Sequence, residues 1–327
     1  MRTTSLPRLP IASLPTPIEP LPRLSAALGG PQLWIKRDDL TGLAFGGNKT
    51  RKLEFLLADA RAGGARTLLT TGAVQSNHCR QTAAAAARFG FDCILVLAGH
   101  APTAPADWTG NLLLDHLLGA EIRWVGNQER DQVLAQAFNQ VQAEGRRPYL
   151  IPYGGSNALG ASAYAYAVEE LLDQGEAFDR IVVASSSGGT QAGLVAGARL
   201  HGYGGRISGI SVDQVASVLR ARVASLAGET AVVLGQRLEV VAEEVEVFDE
   251  YLGGGYGVMG EAEREAIALF ARHEGILLDP VYTGRAAAGM IDLIRRGVVR
   301  SEERVLFWHT GGTPALFAYA ALRPRPG

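Results

Sequence analysis

Lysine is scarce in this chain. Of its 31 basic residues only three, Lys36, Lys49 and Lys52, are lysines. Arginine stays protonated and forms no imine with an aldehyde, so any amine chemistry must come from this short set. Lys49 lies in Phe45-Gly46-Gly47-Asn48-Lys49-Thr50, at the start of a helical pattern that follows an apolar run. Paired glycines let the backbone turn tightly and let a flat ligand approach without interference from a Cβ. An ammonium near the positive end of a helix dipole is destabilised, and a lowered pKa suits both imine formation and proton transfer near neutral pH. Two other readings compete: Lys49 as an ordinary solvated first-turn residue, and residues 42–50 as a P-loop. A P-loop needs glycine directly before Lys-Thr, where Asn48 stands and adds a Cβ to the cradle. Lys36 falls in a strand candidate, and Lys52 lies about 300° further round the helix than Lys49, so neither is expected to take its place.

Three further segments carry chemistry. Ser185-Ser186-Ser187-Gly188-Gly189-Thr190 follows an apolar run and opens another helical pattern. Successive amides, small hydroxyls and a helix N-terminus make an anion site suited to phosphate, whereas a plain serine cap needs one hydroxyl only. Ser187, Gly188, Gly189 and Thr190 form the candidate cup, and a bulky side chain at Gly188 is expected to block its amides. The spacing is not G-x-G-x-x-G, which weakens a dinucleotide reading. Gln75-Ser76-Asn77-His78 offers hydroxyl and amide groups for a carboxylate, although Ser76 also reads as a simple N-cap and His78 as a surface histidine. His309-Thr310-Gly311-Gly312-Thr313 sets the Thr310 hydroxyl beside open backbone, where a ring nitrogen can be met. Tyr256, between Gly255 and Gly257, and Tyr282, in Val281-Tyr282-Thr283-Gly284, are loop tyrosines of the lid type. A rare lysine, a phosphate cup, a carboxylate loop and a ring-nitrogen partner are together the parts of a pyridoxal-phosphate site. No metal is expected.

The elements that must hold these segments alternate. Short apolar, β-branched runs at 33–36, 67–71, 93–97, 121–125, 149–152, 181–184, 207–212 and 305–309 read as strands. Helical patterns lie between them, at 48–61, 76–89, 111–118, 131–144, 158–173 and 190–200. The alternation predicts an α/β fold of parallel-type sheets covered by helices, with glycines after several strands where a ligand site would form. The chain of 327 residues suggests two domains. Glycine-rich crossings make residues 48–159 a small domain and residues 1–47 with 160–327 a large, discontinuous one.

Composition sets limits. The chain is 47% hydrophobic and 20% charged, with a net charge of -2, so no electrostatic reason favours nucleic acid or an anionic membrane. Two cysteines suggest a reducing cytoplasm and no disulfide framework. The N-terminal 24 residues are broken by proline, lacking the apolar stretch of a signal peptide, and no later segment approaches a membrane span.

The run Lys36-Arg37-Asp38-Asp39-Leu40 through Gly46-Gly47-Asn48-Lys49-Thr50-Arg51-Lys52, with Gln75-Ser76-Asn77-His78, resembles the family of D-cysteine desulfhydrases and 1-aminocyclopropane-1-carboxylate deaminases. These are pyridoxal-phosphate enzymes of the tryptophan-synthase-β type, fold type II, and the resemblance runs from Leu14 to Tyr319. It implies that Lys49 carries the cofactor as a Schiff base, that residues 187–190 hold its phosphate and that Thr310 meets the pyridine nitrogen. Ser76 and Asn77 then contact cofactor and substrate carboxylate with His78 beside them, while Ser76, Tyr256 and Tyr282 surround the substrate and assist proton traffic. The deaminases carry Tyr-Glu-Gly where this chain has Tyr282-Thr283-Gly284, and Gln-Ser-Asn-Gln where it has His78; both positions favour the desulfhydrase branch. The cup departs from the Ser-Ala-Gly-Thr-His of D-cysteine desulfhydrases.

The expected activity is a β-elimination that turns D-cysteine into pyruvate, hydrogen sulfide and ammonia, in a cytoplasmic homodimer acting on a small amino acid. L-cysteate sulfo-lyase and 1-aminocyclopropane-1-carboxylate deaminase stay open. The former needs a cationic or donor-rich sulfonate pocket, for which His78 is the motif-borne nominee; Arg37 and Arg51 are expected to pair with Asp38 and Asp39. A non-catalytic nucleotide-binding Rossmann protein is the alternative from another class.

Overall fold

The structure, a computed structural model, describes residues 5–322, so the first four residues of the proline-broken N-terminus lie outside it. Its strands are β1 (Ile18–Pro20), β2 (Gln32–Lys36), β3 (Thr67–Gly72), β4 (Asp92–Leu97), β5 (Glu121–Trp124), β6 (Pro148–Leu150), β7 (Arg180–Ser185), β8 (Arg206–Ser211), β9 (Glu246–Phe248) and β10 (Arg304–Trp308). The helices are α1 (Pro22–Leu28), α2 (Asn48–Ala62), α3 (Asn77–Phe89), α4 (Gly110–Leu117), α5 (Arg130–Ala143), α6 (Ala158–Asp173), α7 (Gly189–His201), α8 (Ala216–Val233), α9 (Glu261–Glu274) and α10 (Thr283–Arg295). All eight expected strands are present, with ends shifted by one or two residues. The sequence pattern missed β1 and β9. Each has three residues and sits at a sheet edge, and Pro20 at the end of β1 is tolerated there because an edge strand need not donate on both sides.

The strands form two sheets, one ordered β1-β2-β10-β7-β8-β9 and the other β5-β4-β3-β6. Only β1 pairs antiparallel with its neighbour; every other pairing is parallel. Parallel strands buried on both faces read as unbroken apolar runs, and β7 shows why. Ile181 and Val183 pack toward α6, α7 and α8, while Val182 and Ala184 pack toward α9 and α10. In the smaller sheet, Leu68 and Leu95 face α2 and α3, and Leu69, Ile94 and Val96 face α5. Helix α7 lies close against α6 because Gly193 and Gly197 leave room: a Cβ at Gly193 would strike the Ala161 carbonyl, and one at Gly197 would lie 2.8 Å from Ala165 Cα. No helix of the described residues is long and apolar enough to cross a membrane.

Between the two sheets lies a buried polar network centred on Asp38. Its carboxylate accepts from Thr16 Oγ1 (2.9 Å), Arg51 Nη2 (2.8 Å) and Nε (3.0 Å), Tyr164 OH (2.6 Å) and Trp308 Nε1 (2.9 Å). Arg51 also reaches Glu170, which pairs with the buried Lys36 at 2.6 Å. The expected pairings of Arg51 with Asp38 and of Arg37 with Asp39, both 2.8 Å, are therefore present. Burial opposes the charge on Asp38, but Arg51, Trp308 and Tyr164 outweigh it and hold the carboxyl below its ordinary pKa. Such a group stabilises the fold above the ordinary carboxyl pKa and loses that contribution as pH falls through the folded value. Asp38→Asn leaves a buried guanidinium short of its counter-charge, which costs about 3–5 kcal/mol. Urea denaturation should show that loss at pH 7 and a smaller one as the pH falls below the ordinary carboxyl range toward the lowered pKa of Asp38. A variant as stable as wild type at pH 7 would contradict the network's role.

Candidate active site

The ends of the parallel strands open on one cleft. Its walls come from the start of α2 after β2, the start of α3 after β3, residues 153 and 154 after β6, the cup after β7, Thr310 after β10 and Tyr282 before α10. That is the side on which open parallel sheets hold ligands. Lys49, Ser76, Asn77, His78, Ser187, Gly188, Thr190, Tyr282 and Thr310, all singled out in the sequence, line it together.

The lysine turn is held from three sides. Gly46 has φ 61°, and a Cβ there would strike the Asp39 carbonyl. Gly47 N–H donates to Asp38 O (2.9 Å) and Thr41 Oγ1 (2.8 Å), and Asn48 N–H to Thr310 O (3.0 Å). Lys49 is the second residue of α2, and its Nζ donates to Asn48 Oδ1 at 3.1 Å. Burial first, then the Arg80 guanidinium, lower its pKa to about 8, with Asp279 opposing. The sequence pointed to the helix dipole as the cause; burial and a neighbouring arginine are the causes in the fold.

The phosphate cup differs from expectation in two respects. Gly188 has φ 84°, and its missing Cβ would point at Val223 and Arg222 of α8, not into the cup. The glycine that keeps the cup open is Gly189, where a Cβ would strike Ser156 Oγ and lie 2.8 Å from Lys52 Nζ. Lys52 is the second correction. Residues three apart on a helix are neighbours on one face, so a rotation of about 300° keeps Lys52 beside Lys49. Its buried Nζ donates to Gly154 O and Ser156 Oγ, each at 3.3 Å. Burial, then Lys49, push its pKa well down, and among the described residues no carboxylate pairs with it. Ser156 and Ser187 hydroxyls share a hydrogen bond of 2.8 Å, and Asn48 Nδ2 donates to Thr190 Oγ1 at 2.9 Å, leaving the threonine proton free to donate. A buried lysine with no paired acid, open amides at the start of α7 and hydroxyls able to donate fit a phosphate dianion, which would favour the protonated amine. With the amine of Lys49 along the same cleft, the group they fit is pyridoxal phosphate.

At the other end, Ser76 caps α3 by accepting from Cys79 N–H at 3.2 Å. His78 is buried with Nε2 against Thr70 Oγ1 at 2.9 Å. Burial, then Lys49 and Lys52, push its pKa well below the usual value. A neutral imidazole removes it as the cationic nominee for a sulfonate, and among the described residues no arginine lines the cleft. Tyr282 OH lies 2.7 Å from Tyr256 OH, which stands behind it. Burial raises both pKa values, so both remain phenols in the working range. Thr283 is buried and faces away from the cleft: its Oγ1 donates to Asp279 Oδ1 at 2.7 Å. Asp279 also accepts from the N–H groups of Val281, Tyr282 and Thr283 and so caps α10. The sequence reading named Lys52 without its place beside the cup, and it passed over Ser156, Asp279 and Tyr153, a cleft-lining ring beneath the Arg130 guanidinium at 5.1 Å. For Tyr153 the available signal was its place beside Gly154-Gly155 at the end of a strand.

The chain is similar to the D-cysteine desulfhydrase of Salmonella typhi, with 44% identity over 322 residues that cover 97% of each chain, and equally to that of Salmonella schwarzengrund. Among solved structures it is similar to an ACC deaminase homologue, with a TM-score of 0.89 and 41% identity over 97% of this chain and 95% of that one. It shares the fold alone with a fungal L-serine ammonia-lyase from Rhizomucor miehei, at a TM-score of 0.68 and 16% identity over 95% and 97% of the two chains. The α/β architecture is thus that of fold type II, as the resemblance implied. Residues 11–311 match the pyridoxal-phosphate dependent enzymes, the cofactor class that the lysine turn and the cup already fit, and the chain belongs to that family.

Proposed function

We propose that this enzyme eliminates sulfide from D-cysteine, taking up one water and releasing pyruvate, hydrogen sulfide and ammonia. The observation that carries this reading is the 44% identity with D-cysteine desulfhydrases along 97% of both chains. It is supported by a cleft with one amine of lowered pKa and no cation to spare for a sulfonate. Both cysteines are buried free thiols, which suits a reducing compartment such as the cytoplasm. The two sheets support a division of the chain into residues 48–159 and the remainder, with the cleft between them.

When bound, pyridoxal phosphate supplies an electron sink that lets the substrate's Cα–H bond break heterolytically. Lys49 is both the amine that holds the cofactor and the base placed to take the Cα proton at Nζ; a pKa of about 8 leaves a usable fraction unprotonated near neutral pH. Lys52, Ser156, Ser187, Thr190 and the amides around Gly188 and Gly189 hold the phosphate. Thr310 meets the ring nitrogen with a neutral hydroxyl, and Asn77 meets the ring oxygen. The free N–H groups at the start of α3, with the Ser76 hydroxyl, bind the substrate carboxylate, and His78 forms a neutral wall beside them. The Tyr256–Tyr282 pair has one hydroxyl proton left over from its mutual bond, directed to the departing sulfur. The carboxylate nearest the ring segment, Asp279, is occupied by its four donors. The ring nitrogen therefore meets no free anion, which suits a good leaving group better than a cyclopropane.

Two measurements check this reading. Gly189→Ala, which puts a methyl between Ser156 and Lys52, should weaken cofactor affinity by about tenfold or more, the scale of one charge-assisted hydrogen bond. Gly188→Ala should instead lower the melting temperature through its strained φ and leave affinity nearly unchanged. Cofactor titration followed by visible absorbance separates the two, and equal affinity of Gly189→Ala and wild type would place the phosphate elsewhere. For the substrate, keto-acid release should be measured over D-cysteine, L-cysteate, D-serine and 1-aminocyclopropane-1-carboxylate. D-cysteine should lead in kcat/KM by about tenfold or more; α-ketobutyrate from the cyclopropane at a comparable rate would overturn the assignment.

A further inference from the structure

Arg80 of α3 is fully buried, does not line the cleft, and makes no ion pair among the described residues. Burial lowers its pKa to about 10, so it is still charged at neutral pH. What it does hold is a set of carbonyl oxygens. Nη1 donates to Asn77 Oδ1 (3.0 Å) and to Asn111 Oδ1 (2.7 Å), and Nη2 donates to Gly46 O (2.8 Å).

A guanidinium can only donate, and this settles the polarity of everything attached to it. Because Arg80 claims Asn111 Oδ1, the Asn111 amide must turn its Nδ2 outward, where it donates to Gln75 O (2.8 Å) and to Asn77 Oδ1 (2.9 Å). Asn77 Oδ1 thus accepts from two donors, and its Nδ2 is left for the cleft that Asn77 lines. Without Arg80 the Asn111 amide would still be oriented by the Gln75 carbonyl, which can only accept, but Asn77 Oδ1 would keep one donor in place of two and its amide would be held less firmly.

We propose that Arg80 is a positioning residue that fixes the Asn77 amide with its Nδ2 donor toward the cleft, where it binds the anionic ring oxygen of the cofactor. The inference rests on the proposed contact between Asn77 and that oxygen. The same guanidinium grips the carbonyl of Gly46, three residues before Lys49, so the donor of Asn77 and the lysine turn are set in register by one side chain. An arginine suits the task because its planar fork reaches all three oxygens at once, which a single ammonium does not.

The test uses full-length protein freed of cofactor and two probes that form no imine: 4-deoxypyridoxine 5′-phosphate, and the analogue that also lacks the ring hydroxyl. Wild type should prefer the hydroxyl-bearing probe by about ten- to hundredfold, the worth of a hydrogen bond to a charged oxygen. Asn77→Ala should lose that preference; if it does not, the proposed contact of Asn77 falls, and this inference with it. Arg80→Met should bind the hydroxyl-lacking probe as wild type does and lose most of the preference for the hydroxyl-bearing one, since Asn77 Oδ1 then keeps only the donor from Asn111. Retained preference in Arg80→Met, with the preference lost in Asn77→Ala, overturns the inference alone. A fall in both affinities alike marks a merely structural role and overturns it too. Should Arg80→Met not fold, Arg80→Gln carries the same comparison, because its own amide can donate or accept and no longer dictates polarity.

Discussion

A buried carboxylate is expensive to keep charged, and Asp38 is kept charged by five donors arriving from four directions. Thr16 comes from the N-terminal segment, Arg51 from α2, Tyr164 from α6 and Trp308 from the end of β10. The backbone of Asp38 then holds the turn itself through Gly47 N–H at 2.9 Å. One residue thereby sets the direction in which α2 leaves the larger sheet. Lys49 and Lys52 lie on that helix, so their placement against the cup of α7 and the start of α3 follows from it. If the network is disturbed, Lys49 and Lys52 move together, since they ride on the same helix.

The second constraint is one of charge. Lys49 and Lys52 stand side by side where burial already disfavours an ammonium, and Arg80 adds a third cation. No acid pairs with either lysine among the described residues, and Asp279 is shielded by its own donors. Such a site is relieved by an incoming dianion and by an amine that gives up its proton. Burial first, and then Arg80, make Lys49 a base near neutral pH, and Lys49 adds to burial in lowering the pKa of Lys52. Burial, and then the two lysines beside it, keep His78 neutral.

Much of this was legible beforehand because it is written in local pattern. Strands buried on both faces are apolar runs, and glycine at or soon after the ends of β3, β4, β7 and β10 makes these stand out. β1 and β9, with three residues each, are too short to show a period. Lys49 is conspicuous because lysine is rare, and the cup because serines and glycines cluster where a strand meets a helix. What was not legible depends on how distant segments meet. Whether the Cβ of Gly188 or of Gly189 intrudes on the cup is decided by where Ser156 and α8 lie. Lys52 reads as turned away from Lys49 until residues 154–156 are seen to close over it. Thr283 follows a cleft tyrosine in sequence yet turns away from the cleft, because the carboxylate of Asp279 offers it a closer partner.

The assignment of the amine is the point on which the account stands. Borohydride reduction of the holoenzyme fixes the cofactor covalently to the lysine that holds it, and the chain offers three places for it to go. Proteolysis and mass spectrometry of the reduced protein should find the pyridoxyl group on Lys49 alone. A label on Lys52 would mean that the residue assigned to the phosphate is the one that holds the aldehyde carbon, and would contradict the arrangement described for the cleft.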